Sequence, residues 1–336
     1  MPPKLWISTK TLTDLSPYPD FVEFVHKNLL DEVSTTNLPV DEIPKFTLAD
    51  AMRGLFLPRT QVEAILAALV RKKNVILQGP PGVGKTFVAH RLAFALMGQK
   101  DKNRVSMVQF HQSYSYEDFI QGYRPGKDGI LRRDGIFYDF CNLARLDRSR
   151  DFVFIIDEIN RGNLSKIFGE LMMLIEHDKR GPDHTIPLTY SESSGERFSV
   201  PENLHLIGLM NTADRSLAMV DYALRRRFVF FDLEPQFECD AFRANLQNGG
   251  APTSVVDRIV ERMTALNRAI SKDDKNLSRG FEVGHSYFCP PTLASATFDW
   301  EAWYRSVVEC EIAPLLREYW FDDMARARKQ VERLLE

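Results

Sequence analysis

The sequence predicts an α/β fold: a parallel five-stranded sheet with its helices, followed by a smaller and mainly helical part. Three observations carry that prediction. Short apolar runs at residues 74–78, 104–110, 152–156, 204–210 and 228–233 each end in a polar segment, as strands of a parallel sheet do when their functional loops gather at one edge. A glycine loop, Gly79-Pro80-Pro81-Gly82-Val83-Gly84-Lys85-Thr86, joins the first run to a periodic apolar segment at 87–97. Beyond Pro235 the pattern becomes helical, with Val255, Val256, Ile259, Val260, Met263, Leu266 and Ile270 on one stripe.

The totals limit the classes available. A chain of 336 residues holds one large α/β domain and a smaller one. No apolar run approaches membrane-spanning length, and residues 1–10 lack the basic-then-apolar pattern of a secretory signal. Cys141, Cys239, Cys289 and Cys310 are scattered without a C-x-x-C pair, so free thiols in a reducing cytoplasm are expected. A net charge of −3 gives no global basic footprint for nucleic acid.

Taken in order, residues 1–45 are punctuated by Pro2, Pro3, Pro17, Pro19, Pro39 and Pro44, and only 21–30 reads as a helix. This segment is expected to be an arm or docking segment. Val62, Ile65, Leu66 and Leu69 mark a helix from near Pro58, closed by Arg71-Lys72-Lys73, whose charges complement its dipole. The glycine loop and its helix come next, then a strand over 104–110 and a glycine-rich surface excursion over 122–135. After the run at 152–156, Asn163 is expected to cap one helix through Ile175, stopped by Lys179-Arg180-Gly181. Residues 186–200 read as a hairpin. A short helix leads to Arg225-Arg226-Arg227 and the fifth strand. In the helical part, Pro314 is expected to kink the stripe running from Trp303 to Tyr319. The domain reading is therefore 1–45 arm, 46–235 nucleotide-binding subdomain, 236–336 lid.

The chemistry concentrates at three strand ends. Between a strand and a helix, the pattern G-x-x-x-x-G-K-T turns backbone N–H groups around phosphate oxygens, and the helix N-terminus adds partial positive charge. Gly79, Pro80, Pro81, Gly82, Val83, Gly84, Lys85, Thr86 and the adjoining Phe87 are the expected nucleotide contacts, with Lys85 reaching the terminal phosphates. Asp157 closes the buried run and is expected to hold Mg²⁺ together with the Thr86 hydroxyl. Glu158 is placed to deprotonate an attacking water.

Glycine loop, Asp157-Glu158, Met210-Asn211 and Arg225-Arg226-Arg227 together resemble an AAA+ module, whose fold is a three-layer αβα sandwich with a helical lid. Asp157-Glu158-Ile159-Asn160-Arg161, Glu176-His177-Asp178-Lys179-Arg180-Gly181 and Met210-Asn211-Thr212-Ala213-Asp214-Arg215-Ser216 resemble the McrB family more specifically. Residues 114–125 and Gly284-His285-Ser286-Tyr287-Phe288 fit the same family. The resemblance runs from about residue 46 to the C-terminus. It implies a GTPase that forms a ring, a hexamer in the family's manner, and an McrC-like subunit that stimulates hydrolysis and carries the nuclease. DNA is then engaged through the assembled complex, and no nuclease constellation is recognisable in this sequence. Residues 1–45 are too few for the family's methylcytosine-reading domain, so direct recognition of modified DNA by this stretch is not expected; a short form, a truncated form and a homologue whose reader sits elsewhere are the alternatives.

Two questions stay open at this level. GTP rests on the resemblance, with ATP the alternative. Asn211-Thr212-Ala213-Asp214 resembles the guanine-reading N-[KT]-x-D element, in which Asp214 would contact the base. The competing reading makes Asn211 the sensor of the γ-phosphate and lytic water, and the AAA+ strand order favours it. His285 and the backbone at 55–57 are candidate base-side contacts. A cation supplied by a neighbouring subunit stabilises the departing phosphate in such rings; Arg161, Arg226 and Arg227 are the candidates, with Arg226 or Arg227 preferred. Rival readings are an AAA+ ATPase that remodels proteins and a nucleotide-gated scaffold with little turnover.

Overall fold

The five apolar runs pair as one parallel sheet: β1 (Asn74–Gly79), β2 (Val105–Gln109), β5 (Phe152–Asp157), β6 (Leu204–Asn211) and β7 (Val229–Asp232). Their order is β2-β5-β6-β1-β7, and β3 (Gln121–Gly126) and β4 (Gly129–Asp134) form a separate antiparallel hairpin. In this computed structural model the described residues are 43–126, 129–193, 195–214, 222–273, 277–289 and 298–336. The helix expected at 21–30 and the Arg215-Ser216 end of the motif that starts at Met210 lie outside them. The chain divides into two units, Met1–Ile43 and Pro44–Glu336, and the sheet, its helices and the C-terminal helical part all belong to the second.

Strand side chains alternate between faces, so each run of β-branched and aromatic residues feeds two cores. Val75, Leu77, Val153, Ile155, Ile207 and Leu209 pack on one face with Val62, Ile65 and Leu69 of the helix Arg59–Lys72 and with Val88 and Leu92 of the helix Lys85–Met97. Ile76, Phe154, Ile156 and Leu206 pack on the other face with Phe137, Ile167, Phe168 and Leu171. The result is three layers. Each such side chain, fully buried, contributes about 1.5–3 kcal/mol.

A third core lies in the C-terminal part. The helix Thr253–Ser271 buries the expected stripe from Val255 to Ile270 against Trp300, Tyr304, Val308, Ile312, Leu316 and Trp320. Phe56, from the segment before the first long helix, is packed into the same core. Among the described residues no helix is long and apolar enough to cross a membrane.

Several local expectations need correction. The excursion at 122–135 is the β3–β4 hairpin, paired from Gln121↔Asp134 to Gly126↔Gly129. Asn163 does cap a helix, its side chain accepting from Lys166 N, but that helix ends at Phe168. Gly169, at φ 50° and ψ −130°, breaks it from the turn Leu171–Leu174. Arg180 does not face a helix end in solvent; it is buried and hydrogen-bonded to backbone carbonyls. Residues 186–200 hold one bridge, Ile186↔Phe198, rather than a hairpin of strands. Arg104 is no strand residue: it sits in a short turn, buried against Asp101 at 2.9 Å. The bend near Pro314 is a π turn, Val308–Ile312, followed by the helix Ala313–Tyr319 with proline in its first turn. Proline has no N–H to donate there, and the preceding Ala313 N–H reaches back to Val308 O.

Candidate active site

The carboxyl edge of the sheet assembles the site. β1 ends at Gly79, in register with Asn211 of β6, and Thr212 N donates to Gly79 O at 3.2 Å. Gly82 and Gly84 take φ of 79° and 76°, the left-handed region that a side chain disfavours. The helix Lys85–Met97 starts immediately after, and Val88 N to Gly84 O at 2.9 Å closes its first turn. N–H groups earlier than Val88 therefore have no helical carbonyl to bond and suit an anion. Lys85 folds back so that Nζ donates to Gly79 O and Pro80 O, both at 2.9 Å. Burial pushes its pKa down to about 8, against the opposing pull of the Glu158 and Asp157 carboxylates.

β5 delivers the carboxylates. Asp157 is its last residue, and its Oδ1 accepts from Glu158 N at 3.0 Å. Glu158 adopts φ 49°, ψ 45°, a left-handed conformation that costs a non-glycine residue roughly 1–2 kcal/mol. Strain of this kind persists where the surroundings over-determine it. Glu158 Oε2 is buried with no aligned hydrogen bond. Arg161 Nε stands 3.2 Å from it as an ion pair, and Arg161 Nη2 is 2.8 Å from Asp214 Oδ2. The Glu158 carboxylate raises the Arg161 pKa first, with Asp214 adding to it.

Asn211 lies one strand over from the phosphate loop, since β6 sits between β1 and β5. Its Oδ1 accepts from Ala213 N at 3.2 Å. Asp214 points into the Arg161 ion pair instead of a base site. A cavity of about 400 Å³ beside the loop is lined by Leu55, Phe56, Leu57, Val83, Phe87 and His285 among others, and Asp214 is not one of them. This brings together the two base-side candidates, His285 and the backbone at 55–57. His285 is held by Gln236 N donating to Nδ1 at 3.0 Å and by the edge of Phe56, 5.0 Å between ring centroids. Burial lowers its pKa to about 4, so the ring is neutral.

Residues 284–287 lock onto the phosphate loop. Gly284 N donates to Pro81 O at 3.0 Å and Ser286 N to Gly82 O at 2.8 Å. Both carbonyls are thereby engaged by residues 284–286. A Cβ on Gly284 would meet the carbonyl carbon of Gly82 at 1.9 Å, so only glycine fits. Arg226 and Arg227 are not brought to this edge. Arg227 O accepts from the side chain of Asn74, the first residue of β1, and both guanidiniums bind Glu176 Oε1 at 2.9 Å.

Comparison with known proteins agrees with this arrangement. The family profile of the AAA domain (dynein-related subfamily) matches residues 74–228, and that of the McrB alpha-helical lid domain matches 258–328. The type IV methyl-directed restriction enzyme EcoKMcrB subunit of Escherichia coli K12 is 57% identical over 297 residues, 88% of this chain and 64% of that protein. The chain is an McrB homologue. The type II restriction enzyme BsuMI component YdiS of Bacillus subtilis is 28% identical over 197 residues, 48% of this chain and 57% of that protein. The chain thus spans less than two thirds of the length of either relative.

In the McrB homologue the AAA profile ends one residue past the arginine triplet, and the lid profile covers the Gly284–Tyr287 segment that grips the loop. Three features of this site escape sequence reasoning. Asn160 Nδ2 donates to Asn211 O at 3.4 Å, while its Oδ1 is buried without a partner. Its place two residues after Glu158 was the available signal. Thr212 Oγ1 donates to Gly280 O at 3.2 Å, and the Arg161–Asp214 pair joins two strand-end loops. Neither of the last two contacts leaves a local pattern.

Proposed function

We propose that this chain is the GTP-hydrolysing motor subunit of an McrBC-like restriction system, working as a ring of identical subunits. In this reading the ring drives DNA movement for an McrC-type subunit that carries the nuclease. One observation carries it: a phosphate loop, an acidic pair and Asn211 meet at one sheet edge under a lid segment bonded to that loop. The 57% identity to a restriction-enzyme subunit supports the cellular role.

Each residue of the site takes a share of the reaction. N–H groups of the loop and Lys85 hold the β- and γ-phosphates, Lys85 exchanging its two carbonyl partners for phosphate oxygens. Glu158 takes a proton from a water as that oxygen attacks the γ-phosphorus; the bond from phosphorus to the β–γ bridging oxygen breaks, and GDP leaves with the electron pair. Asn211 orients the water and the γ-phosphate. The Glu158 carboxylate, its Oε2 paired with Arg161 at 3.2 Å, is the acceptor of that proton. Thr86 and Asp157 supply hard oxygen donors that suit Mg²⁺, which when bound neutralises phosphate charge. The base enters the cavity between residues 55–57 and His285. Arg226 or Arg227 completes the site of the adjacent subunit, and residues 46–235 and 236–336 act as nucleotide-binding subdomain and lid.

GTP and ATP hydrolysis, each measured with and without an McrC-type subunit, tests the proposal. GTP turnover that rises with the partner is the expected result. Turnover of ATP alone points to a protein-remodelling ATPase, and ring formation without turnover to a scaffold; either result overturns the reading.

A further inference from the structure

The motif Glu176-His177-Asp178-Lys179-Arg180-Gly181 has no part in the site described above, yet two of its charged residues, Glu176 and Arg180, are each held by several contacts. Arg180 is buried at 4% exposure. It donates from Nε to Ile175 O at 3.2 Å, from Nη2 to Ile175 O at 3.0 Å and to Asn74 Oδ1 at 2.6 Å, and from Nη1 to Leu204 O. A rigid planar fork with five donors is the side chain able to satisfy so many carbonyls at once. Asn74, itself fully buried, turns its amide nitrogen to Ile175 O at 2.8 Å and Arg227 O at 3.0 Å. One amide group thus fixes the carbonyl just before Glu176 and the carbonyl just after Arg226.

Those two side chains meet. Glu176 Oε1 lies 2.9 Å from Nη2 of Arg226 and 2.9 Å from Nη2 of Arg227. The arginines differ in exposure: Arg227 is 12% exposed and Arg226 74%. Arg226 can leave the carboxylate for another anion while Arg227 keeps Glu176 compensated. Its own phosphate loop is out of range, because Asn74 and Gly79 stand at opposite ends of β1, about 17 Å apart at 3.3 Å per residue.

We propose that Glu176, held by the Asn74–Arg180 pair, is a positioning residue that presents Arg226 to the triphosphate of the neighbouring subunit, with Arg227 as the fixed anchor. This rests on the shared-site reading above and narrows it to one arginine. Without Glu176 two adjacent cations repel each other, and a long exposed side chain must be ordered anew in each turnover.

The test uses the full chain and GTP, and tracks kcat, KM, ring formation by light scattering and melting temperature. Glu176→Gln is expected to lower kcat about tenfold with KM within about twofold, rings and melting temperature being retained. Mixed with Glu158→Gln chains it should regain turnover, since a mixed interface joins an intact Glu158 to a well-placed Arg226. Arg226→Ala should be rescued in the same way. If Arg226→Ala is rescued and Glu176→Gln is not, or if Glu176→Gln acts on KM alone, the positioning role is overturned while the shared site stands. Rescue of neither overturns both. Should Glu176→Gln rings fail to form, Glu176→Asp, which keeps the charge and shortens the reach, carries the same comparison.

Discussion

Replacing Gly284 by alanine would place a methyl carbon 1.9 Å from the carbonyl carbon of Gly82, 2.1 Å from its oxygen and 2.4 Å from Val83 N. All three are backbone atoms, so no side chain can swing aside. Carbon–carbon contact lies near 3.5 Å, and the lid segment must therefore retreat by about 1.5 Å. That retreat carries the Gly284 N–Pro81 O and Ser286 N–Gly82 O bonds, now 3.0 and 2.8 Å, beyond hydrogen-bonding range. Two backbone bonds at about 1 kcal/mol each give about 2 kcal/mol. The loop then has to be ordered by the nucleotide itself, so the expected cost is about thirtyfold in Kd. Titration with a fluorescent GTP analogue and Mg²⁺, alongside thermal melting, measures it. Gly195→Ala is the control, because a Cβ there meets nothing within 4 Å. A Gly284→Ala chain that binds within twofold of the original and melts at the same temperature would refute the lid-to-loop coupling.

The site carries three further expected outcomes. Lys85, with a pKa pushed down to about 8 by burial, must be charged to hold phosphate, so Kd should climb about tenfold between pH 7 and 9, and Lys85→Arg should flatten that rise. His285 has its pKa lowered to about 4 from 6.5, so the unfolded chain binds the extra proton between those values; stability is intact above about 6.5 and falls by about 3 kcal/mol as pH drops to 4. Chemical denaturation across that range should lose this slope in His285→Gln. Asn211→Ala should bind nucleotide normally and lose turnover, while Asp214→Asn should leave base preference alone, its carboxylate being paired with Arg161; a switch towards xanthine nucleotides in Asp214→Asn would reinstate the guanine-reading role. Parallel binding and turnover assays with GTP and XTP decide both.

The legible parts of the fold were those written in short windows. The five strands of the parallel sheet were visible as short apolar runs, most clearly β1, β5 and β6, which are buried along nearly their whole length, and Asn163 as a cap because its side chain bonds a residue three positions on. The β3–β4 hairpin was not visible: its tip lacks the alternation of a half-buried strand, with Arg124, Pro125, Ile130 and Leu131 all largely exposed. Gly169 could have warned that the Asn163–Ile175 helix was two pieces. Arg180 read as a helix stop because a basic residue before glycine usually is one; its burial depends on the carbonyls of Ile175 and Leu204, which no local pattern reports.

By itself, the sequence determined that a phosphate loop leads a helix, that Asp157 and Glu158 end a buried strand, and that Asn211 ends another. Each needs only a strand, its terminus and the next few residues. Tertiary structure alone decided the rest. The order β2-β5-β6-β1-β7 put Asn211 beside Gly79, and packing left Asp214 out of the cavity beside the phosphate loop. Packing brought Gly284 onto a loop some two hundred residues earlier, and Glu176 onto Arg226 fifty residues later. Contacts of that kind depend on how the chain returns across the sheet, and only the packed three-dimensional arrangement holds that information.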